Sequence, residues 1–96
     1  MHQDYYEAIL QIRPKKQSVL DFVRNESMRS NTRISKEITK DFGCDIYLSS
    51  RKSAVQISKK LKKNFNGDLK VSKTLHSRDR LTSKLIYRVT ILFRLR

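Results

Sequence analysis

Between Tyr5 and Arg13 the chain alternates: Tyr6, Ala8, Leu10 and Ile12 fall on one side, Tyr5, Glu7, Gln11 and Arg13 on the other. A period of two predicts a half-buried strand, and Pro14 ends it by withdrawing an N–H from the ladder. From Ser18 the period changes. Val19, Leu20, Phe22 and Val23 recur at helical spacing behind a Ser18-x-x-Asp21 capping box, which predicts a helix to about Met28. Over Thr32 to Lys40, Ile34, Ile38 and Phe42 fit a helix and a strand equally well. The β-branched residues Thr32, Ile34, Ile38 and Thr39, and the turn DFGC at Asp41 to Cys44, favour a strand entering a hairpin. Cys44, Ile46 and Leu48 then alternate with Asp45, Tyr47 and Ser49 as the return strand.

A second helix is predicted from about Arg51, with Ser50 as its N-cap and Ala54, Ile57, Leu61 and Phe65 on one face. Asn66-Gly67 stops it. Two strands follow, Leu69 to about Leu75 and Leu85 to Leu95, joined by the polar loop HSRDRLTSK. In the last of them Leu85, Tyr87, Val89, Ile91, Phe93 and Leu95 share a face. The order β-α-β-β-α-β-β predicts an α+β, two-layer sandwich of the ferredoxin-like split β-α-β (βαββαβ) kind. Its sheet would be antiparallel with both helices on one face, and the seventh element an extra C-terminal hairpin strand. The similarity between ISKEITKDFG (Ile34 to Gly43) and ISKKLKKNFNG (Ile57 to Gly67) is treated as chance, because the first is assigned to a strand and the second to a helix.

With 96 residues, the expectation is one domain spanning 1–96, since a core of this size buries only about 60–65% of the surface of the unfolded chain. Charge sharpens the picture. Residues 1–50 carry eight Lys or Arg against seven Asp or Glu, whereas residues 51–96 carry fourteen against two, so nearly all of the net +13 lies in the second half. Such a half repels itself unless salt or a polyanion screens it.

Cys44 is alone, which excludes an intramolecular disulfide and suits a reducing, cytoplasmic compartment. With His2 and His76 as the only histidines, no Cys/His zinc site can be assembled, so neither metal nor cofactor is expected. MHQDYYEAIL lacks the basic-then-apolar order of a signal peptide. No apolar run approaches membrane-spanning length, so no membrane partner is expected either.

The stretch SSRKSAVQISKKLKKNF holds Arg51, Lys52, Lys59, Lys60, Lys62 and Lys63 without one acid. A solvated outer face would explain such a helix on a neutral protein. Here the following hairpin adds Lys70, Lys73, Arg78, Arg80, Lys84 and Arg88, and together these form the footprint expected for a phosphate backbone. Ser50 could seat a phosphate at the helix start, but capping alone accounts for it. Tyr5 and Tyr47, with Arg88 and Arg94, are candidates for base stacking on the open sheet face, although the signature of an RNA-recognition motif is missing. His76, Ser77 and Asp79 do not make a triad: neighbours in one loop rarely align, and no Gly-rich elbow or oxyanion nest accompanies them. Cys44 reads as a small core residue. Neither an enzyme nor a small-molecule site is expected.

Three blocks carry a resemblance: YYEAILQIR (Tyr5 to Arg13), NTRISKEITKDFGCDIYLSSRKSA (Asn31 to Ala54) and VSKTLHSRDRLTSKLIYRVTILFRL (Val71 to Leu95). They are similar to the middle region of the nonsense-mediated-decay protein three family in its archaeal form, through a G-x-D-x-Y strand leading into S-S-R/K, an S-K-x-L-H/I-S-x-D loop and an alternating strand. The resemblance implies a large-ribosomal-subunit adaptor that binds rRNA and large-subunit proteins, with a role in subunit maturation, quality control or anti-association. The paired CxxC motifs that precede this region in the family, the downstream translation-factor-like module and the leucine-rich export signal are all missing. The chain therefore reads as an excised middle domain, to which zinc binding and export do not carry over. The expectation is a non-enzymatic rRNA- and ribosome-binding domain, with phosphate contacts from Arg51, Lys52, Lys59, Lys60, Lys62, Lys63, Lys73, Arg78, Arg80 and Lys84. The alternative is a protein-interaction module that docks onto a ribosomal protein or onto neighbouring domains. An open sheet face of Tyr and Arg favours RNA; a bare apolar one favours protein.

Overall fold

The computed structural model describes residues 6–78, 81 and 85–96. Seven elements follow in order: β1 (Ala8–Arg13), α1 (Gln17–Arg29), β2 (Ile34–Lys40), β3 (Gly43–Leu48), α2 (Arg51–Asn64), β4 (Gly67–Arg78) and β5 (Leu85–Leu95). The ambiguous third segment is a strand, as its β-branched residues favour, and Lys40 pairs with Gly43 across the turn at Asp41 and Phe42.

Alternation decides the layers. Ala8, Leu10 and Ile12 of β1, Cys44, Ile46 and Leu48 of β3, and Val89, Ile91 and Phe93 of β5 all point to one side and are buried. Val19, Leu20 and Val23 of α1 and Ala54, Ile57 and Leu61 of α2 close over them in a single core, so both helices cover the same face. Phe22 meets Phe65 edge-on, with ring centres 5.5 Å apart, where the two helices adjoin. The opposite face carries no helix.

Strand order is where the sequence reading and the molecule part. The sheet runs β2-β3-β1-β5-β4. β3 lies antiparallel between β1 and β2, which is the split β-α-β half of the expectation. The last strand, however, is not appended at the margin. β5 runs parallel to β1, Ala8 beside Val89 and Ile12 beside Phe93, and β4 is displaced to the edge, antiparallel to β5. The sheet is therefore mixed and five-stranded, and the full ferredoxin-like arrangement is not reproduced.

Composition explains the order. LIYRVTILFRL is a near-continuous apolar run of the kind that fills a slot paired on both sides, whereas GDLKVSKTLHSR carries lysines and a register shift between Leu75 and Ser77, devices that suit an edge.

Two local expectations also change. α1 begins at Gln17 behind Lys16, without a side-chain cap, and Asp21 accepts a hydrogen bond from Gln17 Nε2 at 2.8 Å in place of completing a capping box with Ser18. β1 begins only at Ala8, because the chain bends at Glu7. The bend exchanges sides. The Glu7 carboxylate turns to the start of α2, where it accepts the Arg51 N–H at 3.0 Å, and the Tyr6 ring lies on the open face against Tyr47.

Candidate nucleic-acid interface

α2 forms where it does because Ser50 is extended and its hydroxyl accepts the Ser53 N–H at 3.2 Å, a standard N-cap. Glu7 takes the next free donor, Arg51 N–H, so an anion of the chain itself already occupies this positive helix end. A phosphate seat at Ser50 is therefore filled from within the fold.

At 100° per residue, Lys52, Lys59 and Lys63 fall within about 40° of one another, directly opposite the buried Ala54, Ile57 and Leu61. All three are exposed, as is Lys62, which lies on the flank nearest Asp68. Lys73 of β4 is exposed as well. These side chains reach solvent and can meet a polyanion.

Two of the expected contacts are engaged inside the fold. Arg51 donates through Nη1 to the Tyr87 carbonyl at 3.1 Å, and its Nε lies 3.9 Å from Glu7. Lys60 Nζ sits 3.0 Å from Glu26, a residue only 7% exposed whose carboxylate is also faced by Arg29. That pair ties α2 to α1. Tyr5, Asp79, Arg80 and Lys84 lie outside the described residues, as do the side chains of His76, Ser77 and Arg78.

The Lys60 hydrogen bond holds the Glu26 carboxyl below the ordinary carboxylate range, against burial, which alone would raise it. A carboxyl with a depressed folded-state pKa contributes stability that is fully present above its unfolded value, about 4.3, and lost as pH falls through the lower folded value. We expect Glu26→Gln to melt lower than wild type at neutral pH, by roughly 1 kcal/mol of stability, and the difference to shrink as pH falls below about 4.3, disappearing only below the lower folded-state value. Melting curves across that range check it.

The helix-free face holds the remaining candidates. In register across it lie Lys36, Tyr47, Ile9, Thr90 and Ser72, and in the next row Ile38, Asp45, Gln11, Leu92 and Lys70. Tyr6 meets Tyr47 edge-on at 4.8 Å, and the Arg88 guanidinium lies 4.0 Å above the Tyr6 ring. Asp45, 3% exposed, is held by Arg13 Nη2 at 2.7 Å and Lys40 Nζ at 3.2 Å. The sequence pattern put Tyr5, Tyr47, Arg88 and Arg94 on this face and Tyr6 on the other, beside Ala8, Leu10 and Ile12. The bend at Glu7 moves Tyr6 to the open face, and the alternation of the sequence carries no sign of it.

Burial pushes the Cys44 thiol pKa up, in keeping with a core residue. Among the described residues no three His, Cys, Asp or Glu side chains converge as metal ligands, and no helix is long and apolar enough to cross a membrane.

The family model for the second domain of NMD3 matches residues 5–95. The chain belongs to the NMD3 family. No curated protein matches its sequence. The NMD3 second domain is thus an α+β unit with basic side chains on both outer surfaces: the exposed lysines of α2 on one layer, and Lys36, Lys70, Arg88 and Arg94 on the other.

Proposed function

We propose that this NMD3 second domain is a non-enzymatic module, working in the cytoplasm, that docks a large-subunit adaptor or biogenesis factor onto rRNA. The observation that carries this reading is the acid-free solvent face of α2, where Lys52, Lys59 and Lys63 stand in one row with Lys62 beside them. Lysines so placed meet phosphates as point charges. They position a domain on RNA without reading its sequence, so specificity falls to shape and to neighbouring modules. The exposed Lys73 of β4 is a further phosphate contact in this reading, and Arg78, Arg80 and Lys84 are carried over to it from the sequence alone.

A protein-docking role has one observation in its favour. Val71 and Leu75 are more than half exposed on β4, beside the exposed Tyr87 of β5, and would suit a large-subunit protein. The open sheet face, by contrast, presents Tyr and Arg rather than a bare apolar surface, which supports RNA.

Hydroxyl-radical footprinting of large ribosomal subunits with the chain bound tests the reading. We expect protected rRNA nucleotides on the large subunit and none on the small. Equal binding to both subunits, or protection confined to protein, would overturn it.

A further inference from the structure

Among the described residues, every contact of a cation with an aromatic ring falls on the helix-free face or its rim. Arg88 lies over Tyr6 at 4.0 Å and Lys36 over Tyr47 at 4.6 Å, while Arg13 and Lys40 approach Phe42 at 4.8 and 5.6 Å. A cation resting on a ring is ordinary surface behaviour. What sets this face apart is its charge. Its two acids are consumed, Asp45 by Arg13 and Lys40 and Asp68 by Arg96, whereas Lys36, Lys70 and Arg94 have no ion-pair partner among the described residues.

A cleft of about 190 Å³ opens beside the Tyr6–Arg88 stack, lined by Tyr6, Ile9, Thr74, Leu75, Arg88 and Thr90. Its apolar floor, two threonine hydroxyls and a stacked guanidinium are the elements that hold a planar, polar-edged ring. Arg88 also has a donor to spare: Nη1 is committed to the Tyr6 hydroxyl at 3.1 Å, while Nε is buried without an acceptor among the described residues.

We propose that this face is a second RNA surface, separate from α2, that takes an unpaired strand, with bases stacked at Tyr6 and Tyr47 and phosphates met by Lys36, Lys70 and Arg94. Rings standing on a sheet can stack only on bases already free of a duplex, which is why the ligand is single-stranded. A base settling on Tyr47 takes the place of the Lys36 ammonium, which then meets the adjoining phosphate. The α2 lysines, with no ring among them, suit a duplex backbone. The two outer layers of the sandwich thus take two forms of RNA.

The inference rests on the RNA-binding reading, and the two fail separately. The probe is a labelled ten-nucleotide single-stranded RNA of mixed sequence, titrated into the whole chain at low and moderate salt. Tyr6→Leu/Tyr47→Leu, which keeps apolar bulk, is expected to weaken binding roughly tenfold or more with the salt slope unchanged, because stacking and not charge is lost. Arg88→Lys, which keeps the charge but not the planar stack, is expected to weaken it in the same sense and serves if the double variant fails to fold. Glutamine at Lys52, Lys59, Lys62 and Lys63 is expected to leave this probe nearly unaffected while weakening large-subunit rRNA. No measurable binding of the probe by wild type, unchanged affinity in folded ring variants, or loss only with the α2 lysines would overturn the proposal. The last of these outcomes would leave the α2 reading standing.

Discussion

Replacing Lys52, Lys59, Lys62 and Lys63 together by Gln is expected to lower affinity for large-subunit rRNA and to flatten its dependence on salt. Each lysine that neutralises a phosphate releases a counterion and adds roughly 0.7 to 0.9 to the log–log slope, so the four together contribute up to about three units. The fold should not suffer. All four side chains are exposed and lie off the Ala54, Ile57 and Leu61 stripe, Gln is nearly as good a helix former as Lys, and removing like charges relieves repulsion. Lys60 is left in place. On the sequence alone it looked as dispensable as its neighbours, and its bond to the buried Glu26 removes it from that group. The measurement is a salt titration of binding with a melting curve on each protein. An unchanged slope in a folded variant would make the outer face of α2 a merely solvated one.

The largest effect on stability is expected from Phe93→Ala. Phe93 is fully buried in β5, between Ile12 of β1 and Leu69 of β4. Its ring also fills the space above Gly67: a Cβ there would come within 2.7 Å of the ring atoms, so the glycine and the phenylalanine fit as a pair. Truncation to Ala would leave a cavity in the strand that joins the two halves of the sheet, at a cost of about 3–5 kcal/mol. A domain of this length is stable by roughly 5–14 kcal/mol, so a large share would be lost, with the melting temperature falling by about 15–30 °C. Phe93→Leu should cost much less. If Phe93→Ala melted like wild type, β5 could not be a buried interior strand.

These two experiments also mark what the chain discloses about itself. Periodicity discloses elements: the alternation of Cys44, Ile46 and Leu48, the stripe Ala54, Ile57 and Leu61, and the run from Leu85 to Leu95 are each found where the pattern puts them. It does not disclose who neighbours whom, because pairing partners for β1 are drawn from β3 and from β5 at the far end of the chain, and no local window contains that choice. The competition was nonetheless written in the hairpin, where β5 is apolar enough for the interior and β4 is not. The candidate site divides the same way. Exposed lysines are legible from spacing alone, whereas the engagement of Arg51 by Tyr87 and Glu7, and the move of Tyr6 to the open face against Tyr47, depend on contacts between elements far apart in sequence.

The parallel seam between β1 and β5 has a consequence for how the molecule comes into being. β1 is flanked by β3 and β5, so its second partner, running from Leu85 to Leu95, is synthesised only after the other six elements of the domain. Contacts between residues so distant in sequence require the costly closure of a long loop before they return any stabilisation, which slows folding. Until then one edge of β1, apolar on its helix side, stays unpaired and ready to pair with a wrong strand. The domain can thus complete its sheet only once the strand from Leu85 to Leu95 has cleared the exit tunnel.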